Sequence, residues 1–173
     1  MYRPADVIET IECWQLSLQS TTTPSIIALT RQGLAQVRLE NSDDNLCARG
    51  AYELRAADGD AQVTLFATGS EIAIAMDARE QLQADGIGTR IVSVPCFELF
   101  AQQSDDYRGE VLGGDTVRIG IEAGIKQGWE SLLGDAGGFV GMSSFGASAP
   151  INDLYNHFGI TAEHVINEAK ARL

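Results

Sequence analysis

Residues 63–95 read VTLFATGSEIAIAMDAREQLQADGIGTRIVSVP. Their order decides the fold. Val63 to Ala67 is an apolar run of strand length, and Arg90 to Val94 is another, stopped by Pro95. Between them, residues 70–85 place Ile72, Ala75, Met76 and Leu82 on one helix face, and Gly86 and Gly88 close the helix. Buried strands alternating with helices predict a mostly parallel sheet covered on both faces.

The alternation continues downstream. Phe97 to Gln103 and Asp105 to Leu112 read as short helical pieces, Val117 to Ile121 as a strand, and Trp129 to Leu133 as a short helix. Phe139 to Met142 reads as a strand and residues 151–157 as a short helix. The last helix has Thr161 as its N-cap. Ala162, Val165, Ile166, Ala169 and Leu173 share its buried face, and Lys170 and Arg172 sit where cations suit the helix dipole. Upstream, Ala51 to Leu54 reads as a strand. The tight Asp58-Gly59-Asp60 turn predicts that it pairs antiparallel with residues 63–67, giving a mixed sheet of about five strands.

The first third of the chain is less regular. Residues 5–19 predict a helix, with Val7, Ile8, Ile11, Trp14 and Leu18 at helical spacing and Pro4 near its start. Ser25 to Leu29 reads as a short buried strand, followed by the polar turn Thr30 to Leu34. Residues 35–48, with Glu40-Asn41-Ser42-Asp43-Asp44-Asn45 at their centre, read as a linker. One helix and one strand cannot form a core alone, so residues 1–34 read as the tail of a domain whose body is missing.

The chain has 173 residues, 45% of them hydrophobic and 21% charged, the composition of a soluble globular domain with a short appendage. No apolar run approaches the roughly 20 residues of a membrane span. The first ten residues, MYRPADVIET, carry no secretory pattern. A net charge of −12 suits solubility and argues against a nucleic-acid partner. Cys13, Cys47 and Cys96 are odd in number and form no C-x-x-C pair, which fits free thiols in a reducing compartment. With only His157 and His164 beside them, no zinc-like spacing arises.

Four places can carry chemistry. Thr68-Gly69-Ser70-Glu71 opens a helix after a strand, so its N–H groups can meet an anion; the plainer reading makes Ser70 an N-cap. It is neither G-x-G-x-x-G nor a P-loop. Glu122, in Glu122-Ala123-Gly124, stands at a strand's C-terminal end, where open α/β sheets place ligands. It is a candidate base, or else the partner of an arginine or a helix cap. Phe145 to Pro150 is a loop of small residues that permits close contact with a ligand, a domain or a subunit. Arg31 is a lone cation after a strand and suits phosphate, or else is an ordinary surface residue. His157 and His164 have no triad partners and read as structural or surface residues.

In order along nearly the whole chain, the sequence resembles transketolase at its C-terminal end. The resemblance is carried by Tyr2-Arg-Pro-Ala-Asp6 with Glu9-Thr10 and Trp14, Leu29-Thr-Arg-Gln32, and Arg49-Gly-Ala-Tyr52. Further along it is carried by Ala67-Thr-Gly-Ser-Glu71, Val92-Ser-Val-Pro95, Glu98-Leu-Phe100, Ile121-Glu-Ala-Gly124 and Gly128-Trp129. Phe145-Gly-Ala-Ser-Ala-Pro150, Leu154-Tyr155 and Phe158-Gly-Ile-Thr161 complete it. Deoxyxylulose-phosphate synthases and ketoacid dehydrogenase β subunits share the fold, but their C-terminal motifs look different.

The resemblance implies an α/β fold, a three-layer α/β/α unit with a mixed, mostly parallel five-stranded sheet. It implies three segments: residues 1–34 as the tail of a pyrimidine-binding domain, 35–48 as a linker, and 49–173 as the transketolase C-terminal domain. The parent is then a cytoplasmic homodimer of the pentose phosphate pathway. It moves a two-carbon ketol unit between sugar phosphates with thiamine diphosphate and a divalent metal, magnesium or calcium. Arg31 matches the arginine of the family's Ser/Thr-Arg-Gln motif, which holds the substrate's phosphate. Catalytic, cofactor and metal residues belong upstream, since Asp58-Gly59-Asp60 is not the family's Gly-Asp-Gly metal motif. The fragment alone is expected to be inactive, to bind no cofactor, and to serve a structural or dimerisation role. Its expected partners are the remaining domains and the second subunit, with neither nucleic acid nor membrane. Met1 falls within a motif, which implies a cut piece. The alternatives are a stand-alone subunit of a split transketolase and an anion-binding interaction module.

Overall fold

A computed structural model describes residues 1–39 and 42–173. Five strands form one sheet: β1 (Tyr52–Arg55), β2 (Val63–Ala67), β3 (Thr89–Ser93), β4 (Val117–Ile121) and β5 (Gly138–Val140), in the order β1-β3-β2-β4-β5. β2 pairs parallel with β3 and β4, and β5 parallel with β4, while β1 is antiparallel. The helices are α1 (Val7–Gln19), α2 (Ile72–Ala84), α3 (Phe97–Ala101), α4 (Asp105–Leu112), α5 (Glu130–Leu133), α6 (Ile151–Phe158) and α7 (Ala162–Lys170).

Alternate strand residues feed two cores, as the pleat requires. Val63, Leu65, Ile91, Ile119 and Ile121 join Ile72 and Leu82 of α2 and Val165 and Ile166 of α7 on one face. Phe66 and Val92 join Phe100, Val111, Trp129 and Leu133 on the other. Trp129 stands edge-on to Phe97, with ring centroids 5.1 Å apart. Thr161 caps α7 as its sequence predicts, accepting from His164 N. Leu173 lies beyond α7 and is exposed rather than on its buried face.

The strand at residues 51–54 does not pair with β2. Tyr52 faces Ser93 and Glu53 faces Val92 of β3. β2 is central, with both edges taken by parallel neighbours, so the Asp58-Gly59-Asp60 turn carries the chain past it instead of closing a hairpin.

The N-terminal segment departs most from its pattern. Ser25 to Leu29 is not a buried strand: Ile27 makes a single bridge to Tyr2, and Ile26 and Leu29 are exposed. Helix α1 forms where predicted, but turned over. Its apolar stripe, Val7, Ile11, Trp14 and Leu18, faces outward, while Asp6, Glu9, Glu12 and Cys13 are buried. The carboxylates bind specific donors. Asp6 Oδ1 caps α1 at Glu9 N, and its Oδ2 accepts from Arg38 N at 2.9 Å. Glu9 accepts from Tyr52 Oη and Ser93 Oγ, both at 2.6 Å, and from Ala5 N at 2.7 Å. Glu12 takes Arg38 Nη1 at 2.6 Å and Cys47 N at 3.0 Å.

The segment read as a linker is thereby held down, since Val37, Arg38 and Cys47 are buried. The first two residues of the polar run, 40 and 41, lie outside the described residues. An apolar helix face of this kind drives association. The isolated chain is expected to self-associate with rising concentration, and Ile11→Glu with Leu18→Glu to suppress it. Sedimentation of the unaltered chain as a strict monomer at high concentration would count against this.

Candidate functional site

Two of the sequence candidates meet in space. The parallel strands β2 and β4 run side by side, and the next residues, Thr68 and Glu122, stand together at their C-terminal ends. Thr68 Oγ1 donates to Glu122 Oε2 at 2.6 Å. The strand order reverses here, because β2 is followed by β3 on one side and then by β4 on the other. Open α/β sheets keep their ligand crevice at such a switch point.

Glu71 forms the second wall. It is fully buried at the start of α2 and accepts on Oε1 from Tyr155 Oη at 2.6 Å and Ser70 Oγ at 2.8 Å. Ser70 is therefore not an N-cap; no side chain caps this helix start. Between the two carboxylates lies the Arg3 guanidinium. Its Nη2 reaches Glu71 Oε2 at 3.3 Å, and its Nη1 pairs with Glu122 Oε1. Burial pushes the Glu122 carboxyl above its ordinary range, against the opposing pull of Arg3. Glu122 is thus the partner of an arginine, one of the roles its position allowed.

The turn at Gly69 is not an anion site either. Its N–H donates to the Arg3 carbonyl at 3.1 Å, and two carboxylates lie beside it. Two clefts, of about 360 and 320 Å³, are both lined by Met1 and Arg3. Among the described residues no group of three His, Cys, Asp or Glu side chains is placed to hold a metal ion. Asp58 pairs with Arg79 at 3.1 Å. The paired carboxylates already hold a cation, so the crevice does not fit a metal diphosphate.

The other candidates stay apart from the crevice's polar network. Arg31 is exposed on the loop after the Ile27 bridge, next to Leu29 and Thr30, which line the smaller cleft. Phe145, on the small-residue loop, is 98% exposed. His164 Nδ1 lies 2.8 Å from the Gly159 carbonyl, and His157 stands edge-on to Phe158. All three cysteines are free and buried, packed around Tyr2. A hydrogen bond with Cys13, together with burial, pushes the Cys47 thiol up, and burial raises Cys96. Protonated thiols of this kind pack rather than react.

Arg3 and the buried face of α1 escaped the sequence reading. A signal existed in Asp6, Glu9 and Glu12, which recur at helical spacing opposite the apolar stripe. Acidic residues at that spacing ordinarily mark a solvated face.

Comparison with known proteins places this geometry in context. Residues 50–161 match the family model described as the Transketolase-like TK C-terminal domain. The transketolase of Cereibacter sphaeroides is 53% identical over 171 residues, covering 99% of this chain and 26% of that protein. The transketolase of Sinorhizobium medicae is 52% identical over 170 residues, covering 98% of this chain and 24% of that protein. The chain therefore spans about a quarter of the length of these curated relatives. Among solved structures, transketolase from Leishmania mexicana matches with a TM-score of 0.87 at 38% identity, over 98% of this chain and 24% of that one.

Proposed function

Because this chain belongs to the Transketolase-like TK C-terminal domain family, we propose that it works as the C-terminal part of a transketolase. The proposed parent moves a two-carbon ketol unit between sugar phosphates, using thiamine diphosphate and a divalent metal held by the rest of the protein. This part serves structure and subunit assembly in a cytoplasmic homodimer and is inactive alone. The division into residues 1–34, 35–48 and 49–173 belongs to the same proposal.

The observation that carries the reading is α1. It buries carboxylates against this domain and turns Val7, Ile11, Trp14 and Leu18 outward, a face suited to a body this chain does not include. A separate partner chain would fit that face as well as a covalently joined domain, so a split transketolase is the second reading. The mass of the native polypeptide distinguishes them.

Within the assembled enzyme, Arg31 holds the phosphate of the sugar substrate. Its exposure beside a cleft leaves the guanidinium fork available for phosphate oxygens. In the complete enzyme, Arg31→Ala is expected to lower kcat/KM for a phosphorylated substrate by about 10- to 100-fold, the loss of one charged hydrogen-bonding contact. An unphosphorylated analogue should be nearly unaffected. Equal kinetics for parent and variant on a sugar phosphate would rule out the role.

A further inference from the structure

The geometry points to the crevice between Glu71 and Glu122 being a guanidinium-binding site whose resident ligand is the chain's own Arg3. Three observations converge on it.

The first is position. Arg3 lies across the ends of the three central strands. Its N–H donates to the carbonyl of Pro95, two residues past β3, at 2.9 Å. Its carbonyl accepts from Gly69, two residues past β2, at 3.1 Å. Its side chain reaches Glu122, the residue after β4. This is the place a ligand takes in an open α/β sheet.

The second is the state of the receptor. Each carboxylate has one oxygen satisfied by hydroxyls from outside the N-terminal segment: Glu71 Oε1 by Ser70 and Tyr155, Glu122 Oε2 by Thr68. The other oxygen of each is directed at Arg3. Glu122 Oε1 takes no hydrogen bond beyond that ion pair. Residues 68–155 thus orient both carboxylates through hydroxyls of their own, independently of Arg3.

The third is the shape of the ligand. The two waiting oxygens belong to different carboxylates on different elements. A planar fork with two N–H-bearing nitrogens spans them, whereas an ammonium presents one point charge. Arg3, with Met1, lines both clefts, so truncating its side chain frees a space of alkylguanidinium size beside the two carboxylates. Docking Arg3 seats the segment that carries α1, so the site registers that helix on the sheet.

The test is chemical rescue on the full chain. Arg3→Ala should lower the thermal midpoint by about 10 °C, as expected when one partner of a buried ion pair is lost. Millimolar ethylguanidinium should restore a saturable part of that loss. It should do so better than ethylammonium, and not when Glu122→Gln is added. Equal rescue by ethylammonium, rescue that survives Glu122→Gln, or an equal upward shift in the unaltered chain would overturn the proposal. Arg3→Lys keeps the charge without the fork and decides the matter should Arg3→Ala fail to fold. A midpoint well below that of the unaltered chain supports a guanidinium site, and an unchanged one overturns it.

Discussion

Gly50→Ala is expected to destabilise the chain by about 4 kcal/mol, from left-handed backbone strain and overpacking together. Gly50 has a φ of +79°, a conformation that costs an L side chain. Its surroundings compound the problem. A Cβ there would sit 2.7 Å from Leu99 C and still closer to Phe100 N and Cys96 O. These are backbone atoms of α3 and its cap, which cannot rotate aside. The close approach has a purpose: the Gly50 carbonyl accepts from Cys96 N at 2.9 Å, joining the 3-10 turn at Leu46–Arg49 to the start of α3. Gly59 supplies the control, since its φ is +88° and nothing lies within 4 Å of its virtual Cβ. Gly59→Ala should lose only about 1–2 kcal/mol from conformation. Urea titrations with unchanged slopes would measure both, and equal losses would refute the packing argument.

Glu9→Ala should be comparably severe. The carboxyl is fully buried, and its removal strands Tyr52 Oη, Ser93 Oγ and the Ala5 N–H. Each orphaned donor costs about 1–3 kcal/mol, so a loss of about 4 kcal/mol or more follows. Glu9→Gln separates charge from shape. Burial holds the Glu9 carboxyl above its ordinary range, against the pull of its hydrogen bonds. A pKa raised in the folded state means that the folded protein binds the proton more tightly. The stabilisation is complete below the ordinary carboxylate pKa of about 4.3 and is lost as pH rises through the folded value. The stability of the unaltered chain relative to Glu9→Gln should therefore fall as pH rises above about 4. A difference that stays constant or grows in urea midpoints would refute this.

The β2–α2–β3 unit was legible because each strand is an apolar run bounded by Gly or Pro, and such runs bury themselves wherever the sheet places them. The partner of β1 was not. Asp58-Gly59-Asp60 reports a local reversal, whereas pairing depends on which sheet edge remains free, and that is settled by strands far along the chain. Helix α1 shows the same limit differently. Its periodicity was plain, but periodicity does not say which face meets this domain. The crevice was half legible: Thr68 and Glu122 were marked by their strand ends, while Arg3 was quoted only within the Tyr2-to-Asp6 motif, with nothing local to give it a role. Arg31 stood out as a lone cation after an expected strand and through its motif.

The two faces of α1 also set an order of events during synthesis. Glu9 waits for Ser93, a partner 84 residues further along the chain, and Arg3 waits for Glu71, 68 residues away. Contacts so distant in sequence form late. Until β3 exists, the acidic face remains in water, where ionised carboxylates are well solvated. The apolar face has no such shelter, and domains made earlier fold first. A body preceding this chain would therefore capture α1 before the sheet beneath it has been made. The C-terminal domain would then assemble against a helix already in place, with α1 as its template rather than its last addition.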